Sequence, residues 1–166
     1  MTMYYQKFSS IVGWIHIVAD NNFLRAITFD CNWEVVSKTQ GDTKPEHNLI
    51  TEQTQSQLQE YFAGERTKFD LPITFSGTEF QQQTWQALLT IPYGETRSYS
   101  DQAQLIGNPK AVRAVGRVNG QNPLPIVVPC HRIIGKSGQL TGYAGGLDIK
   151  RFLLQLESNR EPRIGE

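Results

Sequence analysis

The chain has 166 residues and a mass of 18.8 kDa, and 39% of its residues are apolar, enough to bury a sizeable core in one domain or in two small ones. Its 16 basic side chains balance 16 acidic ones, so no overall field attracts a polyanion, and nucleic-acid binding would need a local patch. The N-terminus lacks the layout of a signal peptide, and no apolar run could span a bilayer. We therefore expect a cytoplasmic protein that does not contact a membrane.

Strand-forming residues dominate the first thirty positions. Two β-rich runs, 14–18 and 23–29, flank the Asp-Asn-Asn of 20–22, which tolerates the backbone angles of a tight turn, and together they predict a hairpin. The polar stretch 33–45 predicts irregular structure. A helix with one apolar face then follows, and Gly64 predicts its end.

Helical patterns dominate the second half of the chain. Residues 78–81 have the spacing of a capping box, and the helix that they start ends at the Pro-Tyr-Gly of 92–94. Short helices over about 100–107 and 110–118 are separated by a Gly-Asn-Pro turn, which predicts a helix-turn-helix. A final helix begins near Asp148.

These elements predict a mixed fold of the α/β (α+β) class with two domains. Residues 1–76 form a small strand-rich α/β N-terminal domain with a linker. Residues 77–166 form a mainly helical C-terminal domain that contains the helix-turn-helix.

The chain has two cysteines, far apart in sequence, so it could form at most one disulfide, which a reducing compartment disfavours. We interpret Cys31 as a small buried hydrophobe. Cys130 stands beside His131 and Arg132, and cationic or hydrogen-bonding neighbours lower a thiol pKa and increase the thiolate population. The alternative is a structural cysteine at a strand end, because adjacent side chains of an extended segment point in opposite directions.

A metal site is a weaker interpretation of the same cysteine. The adjacent pair Cys130 and His131 lacks the spacing of zinc ligands, and a site would have to recruit Cys31, His16 or His47 from the other half. We therefore expect no metal.

Basic residues concentrate around the predicted helix-turn-helix. Lys110, Arg113 and Arg117 have the i, i+3, i+7 spacing of one helix face. The small residues Ala114 and Gly116 lie between them and would let the helix approach a groove closely. The interpretations left open are nucleic-acid binding and an ordinary solvated face.

The segment 125–135, "PIVVPCHRIIG", resembles the active-site segment of the O6-alkylguanine-DNA alkyltransferases. The resemblance covers 80–155 and includes "IPYGET", "GNPKAVRAVG" and "GYAGGLDIK" in family order, whereas the N-terminal part resembles the family only in layout. It implies repair of double-stranded DNA that contains O6-alkylguanine, by a monomer that needs no cofactor and works once.

The resemblance also implies catalytic roles. Cys130 would attack the alkyl carbon on guanine O6 and keep the alkyl group as a thioether. His131 would take the thiol proton through a water molecule, Glu157 would polarise the far side of the imidazole, and Asn122 would help hold that network. Tyr99 would lie near guanine N3 and the phosphate of the flipped nucleotide.

The substrate pocket follows from the same resemblance. Tyr143 would close it, the backbone N–H of Ala144 would face O6, and Pro125 would form a wall. The carbonyls of Cys130 and Ile133 would accept from the exocyclic amine of guanine. Some family members have serine where this chain has Ala144, which leaves open the preference for bulky alkyl groups and for O4-alkylthymine.

Base flipping is the last implication of the resemblance. Arg113 matches the residue that fills the space of the extruded base, and its helix would lie in the minor groove. Three alternatives remain: a non-catalytic lesion-binding relative, which would lack the acceptor cysteine, a Cys-His hydrolase, which would regenerate its thiol, and a transcription regulator, which would leave Cys130 unexplained.

Overall fold

The structure, a computed structural model, describes residues 2–158, which begin with a four-stranded sheet in the order β3-β2-β1-β4. β1 (Met3–Ser10), β2 (Gly13–Ala19) and β3 (Leu24–Phe29) are antiparallel neighbours, and β4 (Thr43–Lys44) pairs in parallel with β1. The predicted hairpin is confirmed as β2 and β3. β1 was not predicted as a separate strand.

Two helices accompany this sheet. α1 (Asp30–Thr39) corrects the prediction of irregular structure over 33–45. Its N-cap, Phe29, makes no side-chain capping hydrogen bond, so the sequence lacks the usual signal for a helix start. α2 (Leu49–Phe62) matches the predicted amphipathic helix and is capped by the Asn48 side chain. Gly64 follows it with φ 77°, in the left-handed region that favours glycine.

The second half is mainly helical, and the capping box of Thr78 and Gln81 is present at the start of its first helix. Its elements are, in chain order, α3 (Glu79–Leu88), β5 (Arg97–Ser98), α4 (Tyr99–Leu105), α5 (Val112–Asn119), a 3-10 turn (Cys130–Arg132), β6 (Ile133–Ile134) and α6 (Leu147–Ser158). β5 and β6 form a short parallel pair. The α/β class predicted from the sequence is confirmed.

α4 and α5 form the predicted pair of short helices. Their buried amides bond reciprocally: Gln102 donates to Asn119 at 2.8 Å and accepts from it at 2.7 Å, which fixes the angle between the helices. α5 begins at Val112, two residues after its predicted start at about Lys110, because Pro109 and Lys110 are the central residues of a β-turn.

The buried apolar side chains form one cluster that crosses the predicted domain boundary at Ser76. Side chains in this cluster come from the sheet, from α2, α3, α5 and α6, and from the segment that leads to Cys130. The division at Ser76 stays a prediction, and residues 159–166 of the predicted second domain lie outside the described residues. Among residues 2–158, no helix is long and apolar enough to cross a membrane.

Candidate active site

Cys130 begins the 3-10 turn and follows a run of buried residues. The Val128 carbonyl accepts two hydrogen bonds of 2.8 Å, one from the Cys130 N–H and one from Nδ2 of Asn122. Asn122 also accepts from the Leu124 N–H at 2.9 Å. The structure thus places Asn122 against the backbone that leads to the thiol, and its side chain also hydrogen-bonds to Cys130.

Burial dominates the chemistry of the Cys130 thiol, which belongs to a residue only 8% exposed. Burial raises the pKa of Cys130 to about 11, against the opposing effects of an Asn122 hydrogen bond and the positive charge of Lys150. Such a thiol is protonated at neutral pH. The expected lowering by hydrogen-bonding and cationic neighbours is present, from Asn122 and Lys150, but burial outweighs it. The adjacent Arg132 guanidinium bonds to Glu157 instead.

His131 is completely buried, and its Nε2 lies 2.7 Å from Oε2 of Glu157. Burial lowers the pKa of His131, against the opposing attraction of Glu157, so the imidazole is neutral at neutral pH. A neutral imidazole that donates from Nε2 to a carboxylate carries its lone pair on Nδ1. This Nδ1 is buried and has no hydrogen-bond partner among residues 2–158, so it can accept a proton.

Glu157 lies at the end of α6 and is buried. Besides the His131 ring, its carboxylate accepts from the Tyr61 hydroxyl at 2.6 Å, Arg132 Nε at 2.8 Å and the Gly94 N–H at 3.2 Å. Burial alone would raise its pKa, but hydrogen bonds from His131 and Arg132 outweigh burial and lower the pKa of Glu157 to about 2. The carboxylate is ionised at neutral pH, and Arg132 balances its charge.

This lowered pKa predicts a loss of stability in acid. The folded-state pKa of Glu157 is about 2 and the ordinary value is 4.5, so the unfolded chain binds more protons between these values. The contribution, about 3 kcal/mol, is complete above the ordinary pKa and is lost as the pH falls through the folded-state pKa. Urea unfolding at a series of pH values measures it. Glu157→Gln should flatten the acid slope, and equal slopes would contradict the assignment.

A cavity of about 480 Å³ opens beside the thiol. Its lining brings the predicted pocket residues Tyr99, Tyr143 and Ala144 together with Cys130. The lining residues are Tyr99, Gly116, Asn119, Gly120, Cys130, Gly142, Tyr143 and Ala144. Pro125 and Ile133 are buried, and the lining drawn from the described residues does not include them.

One wall of this cavity belongs to α5. Gly116 lines the cavity, while Arg113 and Arg117 on the same helix are exposed. Ala114 is partly buried, and Lys110 is exposed in the preceding turn. α5, whose basic face was interpreted as a possible nucleic-acid contact, therefore borders the cavity that Cys130 lines.

Residues 3–75 match the family model described as "6-O-methylguanine DNA methyltransferase, ribonuclease-like domain", and residues 79–159 match "6-O-methylguanine DNA methyltransferase, DNA binding domain". The methylated-DNA–protein-cysteine methyltransferase of Methanosarcina acetivorans is 48% identical over 157 residues, which are 95% of this chain and 99% of that protein. This chain belongs to the 6-O-methylguanine DNA methyltransferase family.

Other members of the 6-O-methylguanine DNA methyltransferase family are also similar. The constitutive methylated-DNA–protein-cysteine methyltransferase of Bacillus subtilis is 54% identical over 127 residues, covering 76% of this chain and 77% of that protein. The crystal structure of Mycobacterium tuberculosis OGT in complex with DNA has a TM-score of 0.85 at 46% identity, and the match covers 96% of each chain.

Tyr61 and Arg132, which bond to Glu157, were not predicted as site residues from the sequence. Tyr61 comes from α2 and reaches Glu157 across 96 positions of sequence, a distance that no local pattern reveals. Arg132 was counted as a basic residue, but it is buried and bonds to Glu157 and to the Ile91 carbonyl. Its place directly after the cysteine and the histidine was the available signal.

Proposed function

We propose that this chain repairs DNA by direct reversal and transfers the alkyl group from O6 of guanine to Sγ of Cys130. The C–O bond breaks as the S–C bond forms, the thiol proton leaves for a base, and the electron pair remains on the guanine. A thioether does not hydrolyse under these conditions, so each molecule acts once. The observation that carries this proposal is a cysteine that lines a cavity beside a buried His131–Glu157 pair.

The proton of Cys130 needs an acceptor because its pKa is raised to about 11. Nδ1 of His131 can take it, directly or through a water molecule, and the ionised Glu157 then stabilises the imidazolium through Nε2. The Tyr143 hydroxyl is also buried without a hydrogen-bond partner among the described residues, which leaves a second polar atom for water or substrate.

Negative charge develops on the guanine as the alkyl group leaves, and donors at the pocket wall stabilise it. The backbone N–H of Ala144 and the hydroxyl of Tyr99 fill this role in our proposal. The Tyr99 hydroxyl bonds to Oγ1 of Thr141, which also accepts from Nζ of Lys150 at 3.4 Å. This chain of contacts fixes the tyrosine at the edge of the cavity.

The proposed substrate is double-stranded DNA that contains O6-alkylguanine, bound by one protein molecule. The target atom is inside the stack, so the nucleotide must be turned out at a cost of roughly a few kcal/mol. α5 would enter the minor groove, with Arg113 in the vacated space and Ala114 and Gly116 permitting close approach. Arg117 and Lys110 would contact phosphates.

Stoichiometry tests this function against a Cys-His hydrolase. With a large excess of duplex that contains one O6-methylguanine, we expect each protein molecule to remove a single methyl group and then stop. A hydrolase would regenerate Cys130 and continue. Quantifying the O6-methylguanine that remains in the DNA after long incubation separates the two results, and continued turnover would refute the proposal.

A further inference from the structure

The loop 142–146 borders the cavity, and the carbonyl of Ala144 in this loop is hydrogen-bonded to the N-terminal part of the chain. The Ala144 oxygen accepts a hydrogen bond of 2.6 Å from Nδ2 of Asn32, in the first turn of α1. Sγ of Cys31 lies 3.9 Å from the same oxygen. Cys31 is exposed, so its interpretation as a buried hydrophobe is wrong: β3 ends before it and its side chain faces this loop.

Around the Ala144 carbonyl the loop is held mainly by packing against the N-terminal part, with the Tyr143 and Phe29 ring centroids 5.7 Å apart. Gly142, Ala144 and Gly146 are exposed, and one hydrogen bond of 2.9 Å runs within the loop from the Gly146 N–H to the Tyr143 carbonyl. On the sheet side it packs against Phe29, whose ring would lie 2.7 Å from a Cβ added at Gly145. The loop thus lies tightly against the N-terminal part, with Asn32 supplying the directional contact.

The first turn of α1, which carries Asn32, contacts the sheet on both sides of this residue. Asp30 bonds to Nε2 of the buried His16 at 2.8 Å, and the Tyr5 hydroxyl lies 2.6 Å from Nδ1 of the same ring. Trp33 stacks on His16 with ring centroids 4.7 Å apart and planes 5° apart. Asn32 therefore stands between two residues that are both held on the sheet.

We propose that Asn32 is a positioning residue for alkyl transfer. By holding the Ala144 carbonyl it fixes the segment that carries the Ala144 N–H and the Tyr143 ring, and so sets the space for the alkyl group. A displacement of about 1 Å at a reacting centre costs up to roughly 100-fold in rate. This inference rests on the proposed function and adds the N-terminal part of the chain to the determinants of substrate range.

The test compares Asn32→Asp with Asn21→Asp. Aspartate keeps the shape of Asn32 but places a carboxylate oxygen, which cannot donate, against the Ala144 carbonyl. Asn21 is an exposed residue of the hairpin, so its replacement controls for the added negative charge. We expect Asn32→Asp to slow methyl transfer from duplex DNA about tenfold and benzyl transfer less, because a loosened loop tolerates the larger group. Amide hydrogen exchange over 142–146 should accelerate, while the thermal midpoint and the control variant stay close to wild type.

Each result decides the question. An unchanged ratio of methyl to benzyl transfer, or loop exchange equal to wild type, would overturn the positioning role. A wild-type protein that transfers neither group would instead refute the proposed function. The two failures are distinguishable, because only in the second is the wild-type control itself inactive.

Discussion

Replacement of Glu157 by alanine will destabilise the fold by about 3–5 kcal/mol and abolish alkyl transfer, because a buried cation is left without its partner. The Glu157 carboxylate accepts from Tyr61, Arg132 and Gly94, and from the His131 ring. Its removal leaves the buried Arg132 guanidinium without its carboxylate partner and removes the group that orients the His131 imidazole. Urea unfolding followed by tryptophan fluorescence measures the first effect, and single-turnover transfer measures the second.

Glu95→Ala is the matched control for the stability effect. Glu95 pairs with Arg97 at 3.1 Å on the surface, and an exposed pair of this kind contributes about 0–1 kcal/mol. Glu157→Gln keeps the shape of the side chain, so it separates chemistry from folding: transfer should fall about 100-fold even where the protein remains folded. A Glu157→Ala protein as stable as Glu95→Ala would contradict the central position given to this carboxylate.

Replacement of Arg113 by alanine will slow transfer from duplex DNA roughly 100-fold, because the few kcal/mol that extrusion costs are no longer offset by a side chain in the vacated space. Arg113 is exposed on α5, so its loss leaves the fold intact. The diagnostic comparison uses the free base O6-benzylguanine, which enters the pocket without flipping. Its rate of transfer should stay at the wild-type value.

Arg117→Ala provides the control for lost positive charge. Arg117 is exposed on the same helix, and loss of one phosphate contact should weaken DNA binding and lower the salt dependence by about one unit of slope. Transfer from saturating duplex should change little. If Arg113→Ala and Arg117→Ala were equally impaired on saturating duplex, Arg113 would be one phosphate contact among several and the flipping role would be lost.

The parts of the fold that were predictable have strong local signals. The capping box at Thr78, the end of α2 before Gly64 and the β2–β3 hairpin depend on neighbouring residues. α1 escaped prediction because its N-cap, Phe29, offers no capping side chain to mark the start of the helix. The same omission concealed Asn32, whose partner Ala144 is 112 positions away.

The sequence predicted which residues form the site, but it did not predict their pKa shifts or their ion-pair partners. The resemblance supplied the identities of Cys130, His131 and Glu157, and the structure brings the last two within hydrogen-bond distance. The thiol pKa moved opposite to the expectation because sequence adjacency does not reveal burial, nor that Arg132 turns toward Glu157. Burial and the choice of ion-pair partner depend on tertiary packing, which neighbouring residues in the sequence do not determine.

The most direct test of this account is the mass of the intact protein after incubation with a duplex that contains one O6-methylguanine, measured for wild type and for Cys130→Ser. We expect wild type to gain one methyl group, located on Cys130 by peptide mapping, and the variant to gain none while it still binds the duplex. A wild-type mass that does not change, or a methyl group found at Cys31, would contradict the assignment of Cys130 as the acceptor.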